Sequence, residues 1–400
     1  MMKKNPFGKN KSPYKITDKT RVRNSYYTFS EEYPRDRFQI SRRKGLYSKR
    51  RKKTLVLSAV SFVLLFILSY FLVSVSLNIS NAPIESSSAQ TVVDKEATKA
   101  LKEDGIRALY MPTEKLTDKA YIKSFIKELN KKNCNSVVID FKTIDGKLAY
   151  TSFQNYAILA KCNLYDNDTT RKAVDLFRKN GFTVIARVYC FQDAAVSEAV
   201  PEIAVKYMNT AVNWRDTLSE SGNSWLNPVS KRAKNYLYGV IRELYDMNIK
   251  GFMLESVQFP DGAKSGATYP GEKKDVTRNS LLTDFVSTVR KKLPKDALLI
   301  VSQGATDASK GNKDIYYGSM SSLSCDAISA DTRERTEEIT LERREKFSSI
   351  ISMYGEISKN YQKKIIIPII DIEEYSRSYI RTMKKNGYTS YILIDENGNY

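Results

Sequence analysis

From residue 106 onward, short apolar runs alternate with stretches whose apolar positions recur every three or four residues. The runs are Ile106–Met111, Ser136–Phe141, Thr183–Phe191, Gly251–Phe259, Leu298–Gln303, Asp326–Ala330, Ile365–Ile372 and Ser390–Ile394. Their near-continuous apolar character marks strands buried on both faces. The intervening stretches read as amphipathic helices. Asp118–Lys131 carries Tyr121, Ile122, Phe125, Ile126 and Leu129 on one stripe, and Thr170–Asn180 is stopped by Gly181. Ser230–Met247 turns Tyr236, Leu237, Val240, Ile241, Leu244 and Tyr245 toward a core. Eight such units over about 300 residues predict an α/β domain at 104–400, a (β/α)8 TIM barrel. A doubly wound open sheet is the structural alternative. No GxGxxG motif follows the first strand and no P-loop is present, which removes the usual nucleotide-binding reasons for choosing it.

Upstream the pattern changes. Residues 54–77, TLVLSAVSFVLLFILSYFLVSVSL, are twenty-four residues without a charge. As a helix they would reach about 36 Å, enough to cross a bilayer with some tilt. A cleaved signal peptide is the other reading, but its apolar core is shorter, roughly 7–15 residues. Residues 1–53 hold eighteen Lys and Arg against four Asp and Glu, so +14 of the chain's formal +20 lies in this tail. The basic block Ser48-Lys49-Arg50-Arg51-Lys52-Lys53 abuts the apolar run, where it acts as a topogenic signal and attracts anionic headgroups. The expected order is therefore a disordered basic cytoplasmic tail (1–53), one transmembrane helix (54–77), an extracytoplasmic stalk (78–103) and the barrel. That order gives a single-pass cell-membrane protein in contact with the lipid bilayer. With the basic surplus confined to the tail, no nucleic-acid partner is expected.

Histidine is absent. This excludes Ser-His-Asp or Cys-His nucleophiles and His-ligated metals, leaving carboxylate, lysine, tyrosine or backbone chemistry. Cys134, Cys162, Cys190 and Cys325 are widely spaced and form no CxxC motif, so they supply no metal-site signature. No metal and no cofactor is expected.

A barrel's active site forms at the C-terminal ends of its strands. The polar residues closing the apolar runs are Asp140 and Lys142, Arg187 followed by Asp193, Glu255 and Gln258, Gln303, Asp331, Asp371 and Asp395. Burying carboxylates there is costly unless they are paired or functional; a salt bridge from Asp140 to Arg187 or Lys142 is the structural reading. The long loop after the third strand carries Trp214-Arg215-Asp216 and Trp225 with Asn227. Indole faces beside Arg, Asp and Asn suit sugar rings, although packing of the loop explains two tryptophans equally simply.

From Gly105 to the C-terminus the chain resembles a glycoside-hydrolase-like domain of exported or membrane-anchored bacterial proteins, long described only as a domain of unknown function. The resemblance rests on GIRALYM, SVVIDFK with DGKLAY, GFTVIARVYCF with Asp193, PEIAV, WRD, SWLNP and GFMLESVQFPDG, all in order. Past Asp275 it matches only in outline. It implies a (β/α)8 barrel with a site built from Asp140, Lys142, Arg187, Trp214, Arg215, Asp216, Trp225 and Glu255. Glu255 stands where the family tends to have Asp, Gln258 replaces its usual Arg, and the fifth strand reads VSQGATD without a carboxylate at its end. Glycoside hydrolysis needs two carboxyl groups, about 5–5.5 Å apart for retention and about 6.5–9.5 Å for inversion. Glu255 is the expected nucleophile or base, with Asp307, Asp331 and Asp371 as candidates for the acid. The expected function is an anchored hydrolase acting on a polysaccharide or oligosaccharide of the cell envelope. The alternative is a catalytically lapsed barrel that binds carbohydrate or serves as a scaffold.

Overall fold

The computed structural model describes residues 99–217, 222–263, 266–332, 343–372 and 377–395. The basic tail, the apolar run 54–77 and most of the expected stalk lie outside the described residues. Among the described residues no helix is long and apolar enough to cross a membrane.

The eight apolar runs form eight strands: β1 (Arg107–Met111), β2 (Ser136–Lys142), β3 (Thr183–Tyr189), β4 (Gly251–Glu255), β5 (Leu298–Gly304), β6 (Ala327–Asp331), β7 (Ile365–Asp371) and β8 (Tyr391–Ile394). Each pairs in parallel with its sequence neighbours, and β8 pairs with β1, closing the barrel. The open sheet is thereby ruled out. Helices cover the outside: α1 (Lys119–Lys131), α2 (Asn155–Leu159), α3 (Asn167–Lys179), α4 (Ala194–Ala199), α5 (Lys231–Asp246), α6 (Arg278–Lys292), α7 (Ala305–Lys310), α8 (Arg343–Asn360) and α9 (Arg377–Lys385).

Local chemistry explains the helix starts. Asp118 accepts hydrogen bonds from the amides of Ala120 and Tyr121, Asp166 from that of Thr169, and Ser230 from that of Ala233. Each satisfies donors that a helix N-terminus leaves without intrahelical partners. The third helix was expected from Thr170; it begins one turn earlier because Asp166 caps it, ahead of its apolar stripe. A helix over 99–104 precedes β1, and its Leu101 packs into the interior cluster of the barrel. The folded domain therefore reaches back into the segment expected to be stalk.

Two cores result. One lies between strands and helices. The other fills the barrel with Ile106, Ala108, Val138, Ile185, Met253, Ile300, Ile367, Ile392 and their neighbours. The interior is thus packed and, Ser329 apart, apolar up to its polar upper end.

Candidate active site

The layering of the barrel decides which polar residues meet. Following the strand registers, Val138 (β2), Met253 (β4), Ser329 (β6) and Ile392 (β8) form one interior layer. Such four-residue layers from alternate strands are the normal filling of this barrel. Side chains on a strand repeat their direction every second residue, so the next layer up is Asp140, Glu255, Asp331 and Ile394. The interleaved odd-strand layer rises from Ala108, Ile185, Ile300 and Ile367 to Tyr110, Arg187, Ser302 and Ile369, and then to Tyr189, Gly304 and Asp371. Of the expected catalytic residues, Asp140, Glu255 and Asp331 thus share one level, with Asp371 a step higher.

These carboxylates are not equivalent. Asp140 is engaged by Arg187 through both oxygens: Nε donates to Oδ1, and Nη2 to Oδ2 at 2.8 Å. Tyr110 Oη also donates to Asp140 Oδ2 at 3.1 Å. The Arg187 guanidinium lies between the rings of Tyr110 and Tyr189, 4.8 and 5.4 Å from their centroids. Asp140 therefore takes the structural role foreseen for it, as half of a charge-assisted pair that fixes one wall of the mouth.

Glu255 has no such dedicated cation. Burial pushes its pKa up to about 7; the nearby Arg187 charge and a Ser302 hydrogen bond pull it down, while Asp331 and Asp140 add to the rise. It is a carboxylic acid that holds its proton near neutrality, the property that proton donors in hydrolytic sites share. The influence of Asp331 fits the layering, which sets the two residues two strands apart on one level. Strands spaced by about 4.8 Å give an arc of roughly 9–10 Å between their backbones, and both side chains converge inward from it. Between them β5 offers only Ser302 and Gly304. Immediately after Glu255, Ser256 adopts φ 51°, a left-handed conformation unusual for a non-glycine residue, and its hydroxyl donates to Gln192 at 3.1 Å.

Several residues expected in the site serve elsewhere. Lys142 is fully buried, ion-paired to Asp193 at 2.8 Å and donating to the Tyr189 carbonyl at 2.8 Å. A register irregularity between Asp140 and Lys142 separates the two. Asp193 also caps α4 through the Val196 amide. Gly146, at φ 89°, lies against this carboxylate, and a Cβ there would collide with Asp193 Oδ1. The segment DGKLAY is therefore a buttress.

Trp214 and Trp225 are 5% and 4% exposed, which leaves no open indole face for a sugar ring. Trp225 Nε1 donates to Asp216 at 3.3 Å, Asp216 also accepts from the Asn223 amide, and Arg215 pairs with Glu198 at 2.6 Å. A long loop must satisfy its own backbone groups. This one does so with bridges from Gln192 to Trp225, Ala204 to Leu226 and Arg215 to Ser224, closed over the two indoles. Trp214, Arg215, Asp216 and Trp225 are accordingly the fastening of the loop after β3. Gln258 is partly buried beyond β4. Gln303 alternates away from the interior and accepts a 2.5 Å hydrogen bond from Tyr361 of the stretch after α8; Ser302 faces the mouth instead.

The fold and this polar mouth define a closed parallel α/β barrel with a carboxylate-bearing C-terminal face. Residues 108–305 match the family described as "Putative glycosyl hydrolase domain". No curated protein sequence matches the chain significantly. Among solved structures, similar chains include a hypothetical protein from Ruminiclostridium thermocellum, 23% identical, with a TM-score of 0.42, covering 48% of this chain and 96% of that one. Another is a maltogenic α-amylase from Thermotoga neapolitana at 12% identity and a TM-score of 0.45, covering 74% and 68%. A third is an exo-β-N-acetylglucosaminidase from Vibrio harveyi, solved with N-acetylglucosamine, at 11% identity and a TM-score of 0.42; the match covers 66% of this chain and 41% of that one.

Proposed function

We propose that this protein is a membrane-tethered glycoside hydrolase whose barrel faces the cell envelope and cleaves a polysaccharide there. The observation that carries the reading is Glu255, a half-buried residue whose desolvated carboxyl has its pKa raised to about 7, set level with Asp331 across a gap lined by Ser302 and Gly304. Glu255 is assigned the proton donor in place of the nucleophile or base role expected from sequence. Its proton passes to the glycosidic oxygen as the C1–O bond breaks, and the Asp331 carboxylate supports the positive charge at C1, directly or by activating water. Asp371, one layer higher, meets the sugar beyond the broken bond. The tether is the uncharged run 54–77 behind its basic block, with the tail inside and the barrel outside.

The test is incubation of the full chain in detergent with envelope and capsular polysaccharides, followed by measurement of new reducing ends. Release that disappears in Glu255→Gln and Asp331→Asn supports the assignment. Release that persists in both variants, or none from any polysaccharide, refutes it. The lapsed-barrel alternative draws on the departures around Glu255 and the fifth strand; burial of Trp214 and Trp225 removes only its sugar-stacking contact.

A further inference from the structure

Seven large apolar side chains stand exposed among the described residues, and all of them lie on the segments that follow β2 and β3. Five are in the first segment, including Phe153, Ile158 and Leu159 at 73%, 55% and 62% exposure; Met208 and Val212 are in the second. β2 and β3 are neighbours in the barrel, and α2 of the first segment lies against α4 of the second. The apolar residues therefore occupy one sector of the C-terminal face, beside the mouth. A concentration of this kind marks an interaction surface, since single exposed hydrophobics scatter.

We infer that this sector rests on a lipid surface, so that the mouth works on glycan held at the membrane. The proposal rests on the tethered reading above. Three observations favour lipid over other occupants. First, the uncharged run 54–77 ends only twenty-one residues before residue 99, so the domain is kept near a bilayer. Second, those residues extend at most about 70 Å, whereas the sixteen-residue α5 in the barrel wall is about 24 Å long, so the tether permits the upper face to reach the membrane. Third, the acidic groups of the first segment, though mostly exposed, are engaged locally: Asp145 accepts from the Thr143 hydroxyl, Asp166 caps α3, Asp168 pairs with Lys172 and Asp175 with Arg178. Lys147 and Lys161 remain beside the apolar residues. Aromatic and aliphatic side chains flanked by lysine are the composition that settles at a headgroup boundary.

The test places an environment-sensitive fluorophore on Leu159→Cys, on Phe153→Cys and, as control, on the exposed Lys291→Cys. Each is made in the full chain and reconstituted into phosphatidylglycerol–phosphatidylethanolamine vesicles containing a lipid-borne quencher. The native cysteines are buried, and the unsubstituted chain measures their background labelling. The inference expects positions 159 and 153 to lose most of their emission while position 291 keeps it. Equal emission at all three positions in a chain that still floats with the vesicles overturns the inference and leaves the tether standing. A chain that does not float overturns the tether itself. A blue shift at 159 that grows with protein concentration in detergent overturns the inference in favour of a second copy of this chain.

Discussion

Replacing Glu255 by Gln removes an ionisable group that the fold burdens. The unfolded chain releases this proton near pH 4.5, and the folded protein holds it to about pH 7. Between those values the folded state binds more protons than the unfolded one, so rising pH drives unfolding. At 1.36 kcal/mol for each pKa unit, the native protein loses about 3 kcal/mol of stability from this group across the interval. The Glu255→Gln chain has no proton to lose at this position. The difference between variant and parent should therefore be smallest near pH 4.5 and widen until about pH 7. Thermal unfolding of both chains by circular dichroism at pH 5 and pH 8 checks this. The variant's advantage in Tm should grow by roughly 6–10 °C, scaled from about 2–4 °C for each kcal/mol in large domains. All other titrating groups are common to both chains and cancel. A gap that stays constant, or narrows as pH rises, would mean that Glu255 is already ionised in the folded protein, and its role as proton donor would fall.

Asp331→Asn removes a neighbouring negative charge, so the pH at which that gap stops widening should move down; pH-dependent melting of the double variant against the single one measures it. If the proposed chemistry is right, Glu255→Gln should also lower the rate of reducing-end release by about 10²–10⁴, the usual worth of a positioned acid. Lys142→Met should cost about 3–5 kcal/mol in denaturant unfolding, because Asp193 would be left charged and buried. Adding Asp193→Leu should recover part of that loss, whereas full additivity of the two would show that they are not a pair. Trp225→Ala should cost about 3–5 kcal/mol, with glycan retention by the folded fraction unchanged; lost retention at unchanged stability would return the indole to the binding surface.

Much of this architecture was legible from periodicity alone. All eight apolar runs became strands, and Asp118 and Ser230 announced their helices, because short buried strands and capped amphipathic helices are local properties. The site was legible only in part. Taking the polar residues that close the runs named Glu255, Asp331 and Asp371, which the strand registers bring to the mouth, but on the fifth strand it named Gln303, whereas counting by two from Ile300 selects Ser302. The same alternation, from Ala108 and Ile185, would have found Tyr110 and Tyr189, the rings that flank Arg187. Lys142 was misplaced because a register irregularity leaves no mark in the sequence. The tryptophans kept two readings, sugar platform and loop packing, because whether a long loop turns its aromatics inward depends on bridges formed between its distant ends.

The contact between Gly146 and Asp193 has a bearing on how this mouth can change. With no room for even a methyl group between them, the segments behind β2 and β3 are keyed together, and one cannot be reshaped without carrying the other. On the proposed function, variation in the polymer admitted would then arise on the opposite arc, around Ser302, Gly304 and Asp371. A library of substitutions confined to that arc should yield altered cleavage patterns in intact barrels, and one drawn from the keyed side should return mostly misfolded chains.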